Sequence, residues 1–326
     1  MKSRVLTYLK ESRDYISGQE LSNIFGVSRT AIWKAVKGLK EDGYDIKSVR
    51  NKGYKLISIP DILLADEIKY GLKTNYIGDN VIIYDAIDST NQQAKRLALD
   101  GLGNGTVVIA EQQIKGKGRR GKNWESPYQT GIWMSILLKP NIHPNQASMI
   151  TLLAGLATVK SINKKIDNNS FIKWPNDIVI NGKKVCGILT EISTEIDTVN
   201  YIIVGIGINV NTLEFDKDIK DIATSIAREE GQKVDRVPII QSILQNFEYY
   251  YDIFKRDLNL SNIIKEYEKE CININKEVKV IYKNKEIEGK AMGITPIGEL
   301  VIIDKSGQKH TVNSGEVSVR GLNGYI

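Results

Sequence analysis

Cysteine and histidine are nearly missing from this chain: Cys186, Cys271, His143 and His310 are its whole complement in 326 residues. Two cysteines cannot build a disulfide framework, and four such residues scattered along the chain offer no clustered ligand set, so no metal-ligating residues are assigned. A histidine-based catalytic triad is excluded on the same count, each histidine reading as a loop or surface residue. Cys186, inside an apolar run, reads as a buried strand residue. No apolar stretch approaches the roughly 18 residues of a membrane helix, and the polar N-terminus has no secretory pattern. The expectation is a soluble, cytoplasmic protein with no membrane partner. A composition of 41% hydrophobic and 26% charged residues excludes disordered and fibrous classes, and the length suits two or three domains.

What is present is unevenly placed. Residues 1–60 hold twelve of the 45 Lys and Arg but only six of the 39 Asp and Glu, so the whole net charge of +6 lies there. That asymmetry points the first domain at a polyanion. Leu6, Leu9, Ile16, Leu21, Ile24 and Phe25 mark the apolar stripes of two short helices. After the turn at Gly26-Val27, Ser28 caps a third helix over 29–40, with Ile32, Val36 and Leu39 inward and its cations outward. Alternating strands at 44–49 and 53–57 flank a tip of Arg50-Asn51-Lys52. This is the pattern of a winged helix-turn-helix over 1–62, with the third helix as reader and Ser28, Arg29, Thr30, Lys34, Lys37, Arg50 and Lys52 as candidate DNA contacts. One reading helix serves one half-site, so a homodimer on palindromic operator DNA is expected. A small protein-contact domain with solvated lysines is the plainer alternative.

A second domain is expected over 63–270, starting past the Pro60 break with a helical pattern near 64–68. Strands at 81–84, 106–110, 132–138 and 199–210, with helices at 92–100, 145–164 and 238–258, describe an α+β sheet with its helices on one side. Four polar segments stand out against it. Ser89-Thr90-Asn91 opens a helix beside a strand end. Lys173-Trp174-Pro175-Asn176-Asp177 is a turn presenting an amide and a carboxylate. Lys183-Lys184 precedes the apolar Val-Cys-Gly-Ile-Leu run. Gly205-Ile-Gly-Ile-Asn209 puts small residues in a strand, where a ligand or another backbone must come close. Capping, edge protection and turn chemistry are the plain readings of these, and none explains all the residues.

The densest signal is Gln113 to Pro127, with Gly116, Gly118 and Gly121 among Lys115, Lys117, Arg119, Arg120 and Lys122, followed by Trp124. Such a loop is suited to wrapping an anion, because glycine lets backbone N–H groups come close to a guest while the cations neutralise it. Its glycines fit the dinucleotide fingerprint, but no helix can open before Pro127. It fits the first seven positions of a P-loop too, yet Asn123 stands where a hydroxyl should hold magnesium. From Cys271 onward, short alternating strands broken at 283–284, 296–298 and 306–307 read as a small antiparallel barrel over 271–326.

Taken together, the glycine-arginine loop, the K-W-P-N-D turn, the lysine before Val-Cys-Gly and the G-I-G-I-N strand resemble biotin protein ligases. The first domain is similar to that of the bifunctional subgroup, which also represses biotin genes. The resemblance implies a central fold like the class II aminoacyl-tRNA synthetases and an SH3-like C-terminal barrel. It implies ATP, Mg2+ and biotin as cofactors and substrate, and the biotin carrier domain of a biotin-dependent carboxylase as partner. Ser89, Thr90, Asn91, Gln113, Gly116, Lys117, Gly118, Arg119, Lys184, Leu189 and Gly205 would bind biotin. Arg119, Arg120, Lys122, Trp124, Asn176, Asp177, Asn209 and Arg320 would hold ATP or the adenylate, with Glu316 helping to close the site. Lys184, rather than Lys183, and Arg119 would be catalytic. The family usually has arginine where this chain has Lys117, which keeps the charge and loses the planar fork. A ligand-responsive repressor without turnover, or a ligase for a related acid such as lipoate, are the competing readings.

Overall fold

The chain divides into two compact units, Met1–Tyr70 and Gly71–Ile326. The computed structural model describes residues 1–59, 61–282, 285–313 and 317–321, and all their side chains except those of 282, 285, 317, 318, 320 and 321.

In the first unit, helices α1 (Lys2–Glu11), α2 (Gly18–Phe25) and α3 (Arg29–Glu41) precede an antiparallel hairpin of β1 (Asp45–Val49) and β2 (Gly53–Ser58). The caps set the helix-turn-helix. Ser17 and Ser28 each accept a backbone N–H of the helix they open, and Gly26 closes α2 in the left-handed conformation at φ 65°. Val5, Leu6, Leu9, Ile16, Leu21, Ile32, Val36, Leu39 and Ile46 form the shared core. Ile24, expected inward, is 43% exposed, and Phe25 packs edge-on against Tyr8 instead. The short helix α4 (Ala65–Lys69), expected to open the central domain, belongs with this first unit. Its buried Glu67 accepts from the Tyr44 hydroxyl and pairs with Lys10. A carboxylate is tolerated there because both partners meet it. Burial, then the hydrogen bond to Glu67, pushes the Tyr44 hydroxyl well above its usual range.

The second unit is built on a mixed sheet. In chain order its elements are β3 (Val81–Ile87), α5 (Thr90–Leu99), β4 (Val107–Gln113), β5 (Gly131–Leu138), α6 (Ala147–Asn163), β6 (Ser170–Lys173), β7 (Asp177–Ile180), β8 (Lys183–Glu195) and β9 (Thr198–Asn209). Helices α7 (Ile226–Glu230), α8 (Arg236–Asp257) and α9 (Ile264–Glu270) follow. Among the described residues the sheet order is β3-β4-β5-β9-β8-β7-β6, parallel only between β3 and β4.

Helices cover both faces of this sheet, correcting the expectation of one. A Cβ on Gly205 would point at Asn91 of α5, whereas Ile188 and its cross-strand partner Ile206 alternate to the other face, where Ile188 meets Gly155 of α6. Helix α6 buries nearly every residue because it lies between the sheet and α8. Arg236, fully buried at the start of α8, forks onto Glu111 of β4 and the Gly131 carbonyl of β5.

The last strands, β10 (Glu277–Tyr282), β11 (Lys285–Ile294), β12 (Leu300–Asp304), β13 (Lys309–Val312) and β14 (Val317–Gly321), pair antiparallel in the order β13-β12-β11-β10-β14. Among the described residues this sheet is open, without the β13–β14 ladder that would close it into the expected barrel. No helix among the described residues is long and apolar enough to cross a membrane.

Candidate functional sites

On the α5 face of the sheet, a cleft gathers residues from seven separate stretches of chain, Met134 of β5 among them. Ser89, Thr90 and Asn91 come from the start of α5, Gln113 from the end of β4, and Lys117, Gly118, Arg119 and Trp124 from the glycine loop. Asn176 comes from the turn before β7, Lys184 and Leu189 from β8, and Gly205 and Gly207 from β9.

Ser89 stands at the N-cap position but makes no capping bond with its side chain. The Gln113 carbonyl oxygen takes over that role, accepting the Thr90 N–H at 2.9 Å, while its amide nitrogen donates to Ser126 at 2.8 Å. Asn91 is 4% exposed and committed to the protein: its amide nitrogen donates to the Leu189 carbonyl and Glu191, and its oxygen accepts from Ser135. Ser135, fully buried within β5, was not singled out from sequence, although it is the one hydroxyl in the run Ile132–Leu138.

The glycine loop folds back on itself as a narrow hairpin. Trp124 N–H donates to the Gly116 carbonyl, Lys117 bridges Asn123, and the tip at Arg119–Gly121 turns through left-handed Arg120 and Gly121. A Cβ on Gly116 would lie 2.3 Å from the Trp124 carbonyl, so this glycine serves the loop's own pairing. The strand glycines have similar tenants. Gly205 makes room for the Asn91 amide, and Gly207 and Gly187 make room for the Trp124 indole, whose Nε1 is buried without a partner among the described residues. The close neighbour expected at these glycines is thus a side chain of the protein itself.

Two residues along the same strand pair from Gly205, the cleft becomes charged. Arg119 donates to Asn176 Oδ1 at 2.7 Å, and Lys184 meets Asp177 Oδ1 at 2.6 Å with its ammonium 5.2 Å from the Trp124 ring centre. Partial burial lowers the Arg119 pKa, the Asp177 charge opposing that shift. Strand geometry explains why Lys184, not Lys183, reaches the cleft. Side chains three apart on a strand face opposite ways, so Lys184 and the cleft-facing Gly187 should diverge. In the β7–β8 ladder, however, Ile178 pairs with Cys186 and Val179 with Lys184, leaving Val185 as an extra, bulged residue. The bulge shifts the alternation by one and brings Lys184 beside Gly187, where a Cβ would lie 3.2 Å from its Nζ.

The turn carrying Asn176 and Asp177 is tied to the C-terminal part of the unit. Trp174, 1% exposed, donates its backbone N–H to Asn273 Oδ1 at 2.8 Å and its indole N–H to the Gly298 carbonyl. The tryptophan before the cis Trp174-Pro175 bond is therefore an anchor, and Asn273 a supporting residue that sequence reading passed over. Cys186 is fully buried and its thiol pushed up by that burial.

Other expected residues lie off the cleft. Arg120 and Lys122 are exposed on the loop, and Asp177 stands behind Lys184. Asn209 is buried, donating to the Thr224 carbonyl and so fastening the chain that follows β9. Glu316 and the side chain of Arg320 fall outside the described residues. Beyond Trp124, Glu125 faces Asp216, and its carboxyl is raised first by burial and then by that neighbour.

In the first unit, Arg29, Thr30, Lys34 and Lys37 project from the exposed side of α3, Ser28 caps it, and Arg50 and Lys52 stand exposed at the hairpin tip. Trp33, 52% exposed between them, carries Lys37 over its ring.

Comparison with known proteins matches each region. Residues 83–209 fit the biotin/lipoate A/B protein ligase family, residues 2–55 an HTH domain, and residues 274–320 the biotin protein ligase C-terminal domain. The bifunctional ligase/repressor BirA of Bacillus subtilis is 39% identical over 94% of this chain and 95% of its own length. That of Escherichia coli is 30% identical over 97% and 96%. Among solved structures, the biotin protein ligase from Aquifex aeolicus in complex with biotin and ATP superposes with a TM-score of 0.66 at 30% identity, covering 74% of this chain and 99% of that one.

Proposed function

This chain belongs to the BirA family of bifunctional ligase/repressors, and from that premise we propose that it joins biotin to ATP and passes the biotinyl group to a lysine of a biotin carrier domain, while its first unit represses biotin genes at operator DNA. The observation that carries the ligase half is one cleft in which buried hydroxyl and amide groups adjoin Arg119, Asn176 and Lys184.

In the first step an oxygen of the biotin carboxylate attacks the α-phosphorus of ATP, the bond to the β-phosphate oxygen breaks, and pyrophosphate leaves. Two anions must approach, so Lys117, Arg119 and Lys184 supply fixed positive charge where the reacting oxygens gather. Lys122 is within the same loop to meet the leaving phosphates, and Trp124 offers its ring to adenine. Asn176 and, behind Lys184, Asp177 offer hard oxygen atoms at the charged end of the cleft, which would suit a magnesium ion arriving on the nucleotide and screening its charge.

In the second step the neutral amine of the carrier lysine attacks the carbonyl of the mixed anhydride, AMP departs, and the amide nitrogen loses its proton. Lys184 stabilises charge on the oxygens in both steps, and Asp177 aims it. The hairpin loop covers the anhydride, which water would otherwise hydrolyse. Lys117 in place of a forked arginine holds the phosphate as a point charge.

For the repressor half, α3 and the hairpin tip present a basic surface of the size and charge that a major groove and its flanking phosphates accept. One such helix reads a half-site, so a homodimer on a palindrome is the arrangement proposed, in the cytoplasm where ATP, carrier and DNA coexist. Incubating the protein with labelled biotin, Mg-ATP and a purified biotin carrier domain tests the ligase reading. Label on the carrier lysine is expected, and lipoyl transfer in its place would overturn it.

A further inference from the structure

The neutral end of the cleft has its hydrogen-bond polarity set from outside. Glu191 of β8 does not line the cleft. It accepts from Lys95 at 2.6 Å and from the Asn91 amide nitrogen at 2.7 Å, and the same nitrogen lies 3.2 Å from the Leu189 carbonyl. A carboxylate and a carbonyl can only accept, so the NH2 of Asn91 must face them and its oxygen must face Ser135 Oγ, 2.6 Å away. That oxygen can only accept in turn, which claims the single Ser135 proton. Ser135 Oγ is then an acceptor toward Thr90 Oγ1 at 2.8 Å. The other neighbour of the Thr90 hydroxyl, Gln113 Oε1 at 3.1 Å, is also an acceptor, since it already receives the Thr90 N–H. Whichever of the two takes the Thr90 proton, that proton stays within the protein. Thr90 therefore offers the cleft lone pairs only.

We propose that Glu191 is a positioning residue that, through Asn91 and Ser135, fixes Thr90 as an acceptor, so that this end of the cleft admits acids carrying an N–H donor. The inference rests on the biotin reading and deepens it. The cyclic urea of biotin supplies such a donor and the dithiolane of lipoate has none. A buried site built to receive an N–H rejects ligands that lack it far more strongly than a merely apolar pocket could, because its own acceptor is left unpaired. All five groups in the relay, Thr90, Asn91, Ser135, Glu191 and the Leu189 carbonyl, are held by α5, β5 and β8, so the arrangement needs no ligand to form.

The test compares biotin with its cyclic carbonate analogue, in which each ring N–H is replaced by oxygen, and uses desthiobiotin, which keeps the urea, as control. Binding to the full chain is measured calorimetrically, with the KM for ATP read from pyrophosphate exchange. The wild type is expected to prefer biotin over the carbonate by about 100-fold or more. In Glu191→Gln the introduced carboxamide can donate as well as accept, Asn91 can turn over, and the preference should fall at least 10-fold with the KM for ATP unchanged. Glu191→Asp keeps the acceptor and should keep most of the preference, which separates polarity from loss of packing. An unchanged preference in Glu191→Gln, or an equal collapse in Glu191→Asp, overturns the role of Glu191 and leaves the biotin reading standing. Failure of the wild type to bind biotin overturns that reading itself.

Discussion

The two ends of the cleft lie on one strand pair, yet they are built on opposite plans. Around Gly205 the side chains of Thr90, Asn91 and Ser135 are neutral, buried and bonded to one another, with the charged pair Lys95–Glu191 kept behind them. Around Gly207 the groups are ionic: Arg119 on Asn176, Lys184 on Asp177, and an indole between. A prearranged neutral network discriminates, because a wrong ligand strands a buried donor or acceptor. A cluster of cations stabilises charge that develops during reaction, and its worth grows as water is excluded. On the proposed reading, selection of the acid and acceleration of its chemistry fall to different residues of one cleft, and substitutions should separate them.

The largest effect is expected at the charged end. Lys184→Met should slow carrier labelling by about 100- to 1,000-fold, the usual cost of removing one transition-state charge partner. Lys183→Met should stay within about 3-fold of wild type, since the bulge at Val185 turns only Lys184 into the cleft. Equal losses at both would mean that the bulge does not select the lysine.

Next come the glycines. Gly205→Ala sets a methyl 2.2 Å from Asn91 Oδ1, and Gly207→Ala sets one 2.6 Å from the Trp124 indole. The first should raise the KM for biotin by about 10-fold and the second the KM for ATP by a similar factor, each of order 1.4 kcal/mol. Steady-state titration of each substrate checks the split; both variants moving the same constant would show the ends to be one site. Smallest is Ser135→Ala, which removes a hydroxyl bonded to Thr90 and Asn91 and should cost about 1 kcal/mol of biotin binding with ATP unaffected.

Much of this was legible in the residues. The helix-turn-helix followed from Ser28, the apolar spacing of 32, 36 and 39, and the charge held in residues 1–60. Residues 83–209 carried enough motif to mark the family. Pairings across the chain were less legible. Glycine announces that something comes close but not what, so Gly116 and Gly205 read as ligand contacts although a carbonyl and an amide of the protein occupy the space. A bulge leaves no composition signal, and the choice between Lys183 and Lys184 rested on resemblance until the ladder register supplied its cause. Asn209, polar within an apolar strand, and Trp174, which a turn alone does not need, proved to be fasteners, to Thr224 and to Asn273 and Gly298. Glu191 had no signal at all, since an acid on a half-exposed strand is ordinary until its partners are known. The division at Tyr70 was hidden for the same reason: the partners of Glu67 are Lys10 and Tyr44, far back in sequence.

Adenylation itself is best tested by exchange of labelled pyrophosphate into ATP, with biotin, lipoate or no acid and magnesium present. A cleft with a neutral selecting end and a cationic reacting end should support exchange with biotin alone. Exchange with lipoate at a comparable rate, or none with any acid, would contradict it.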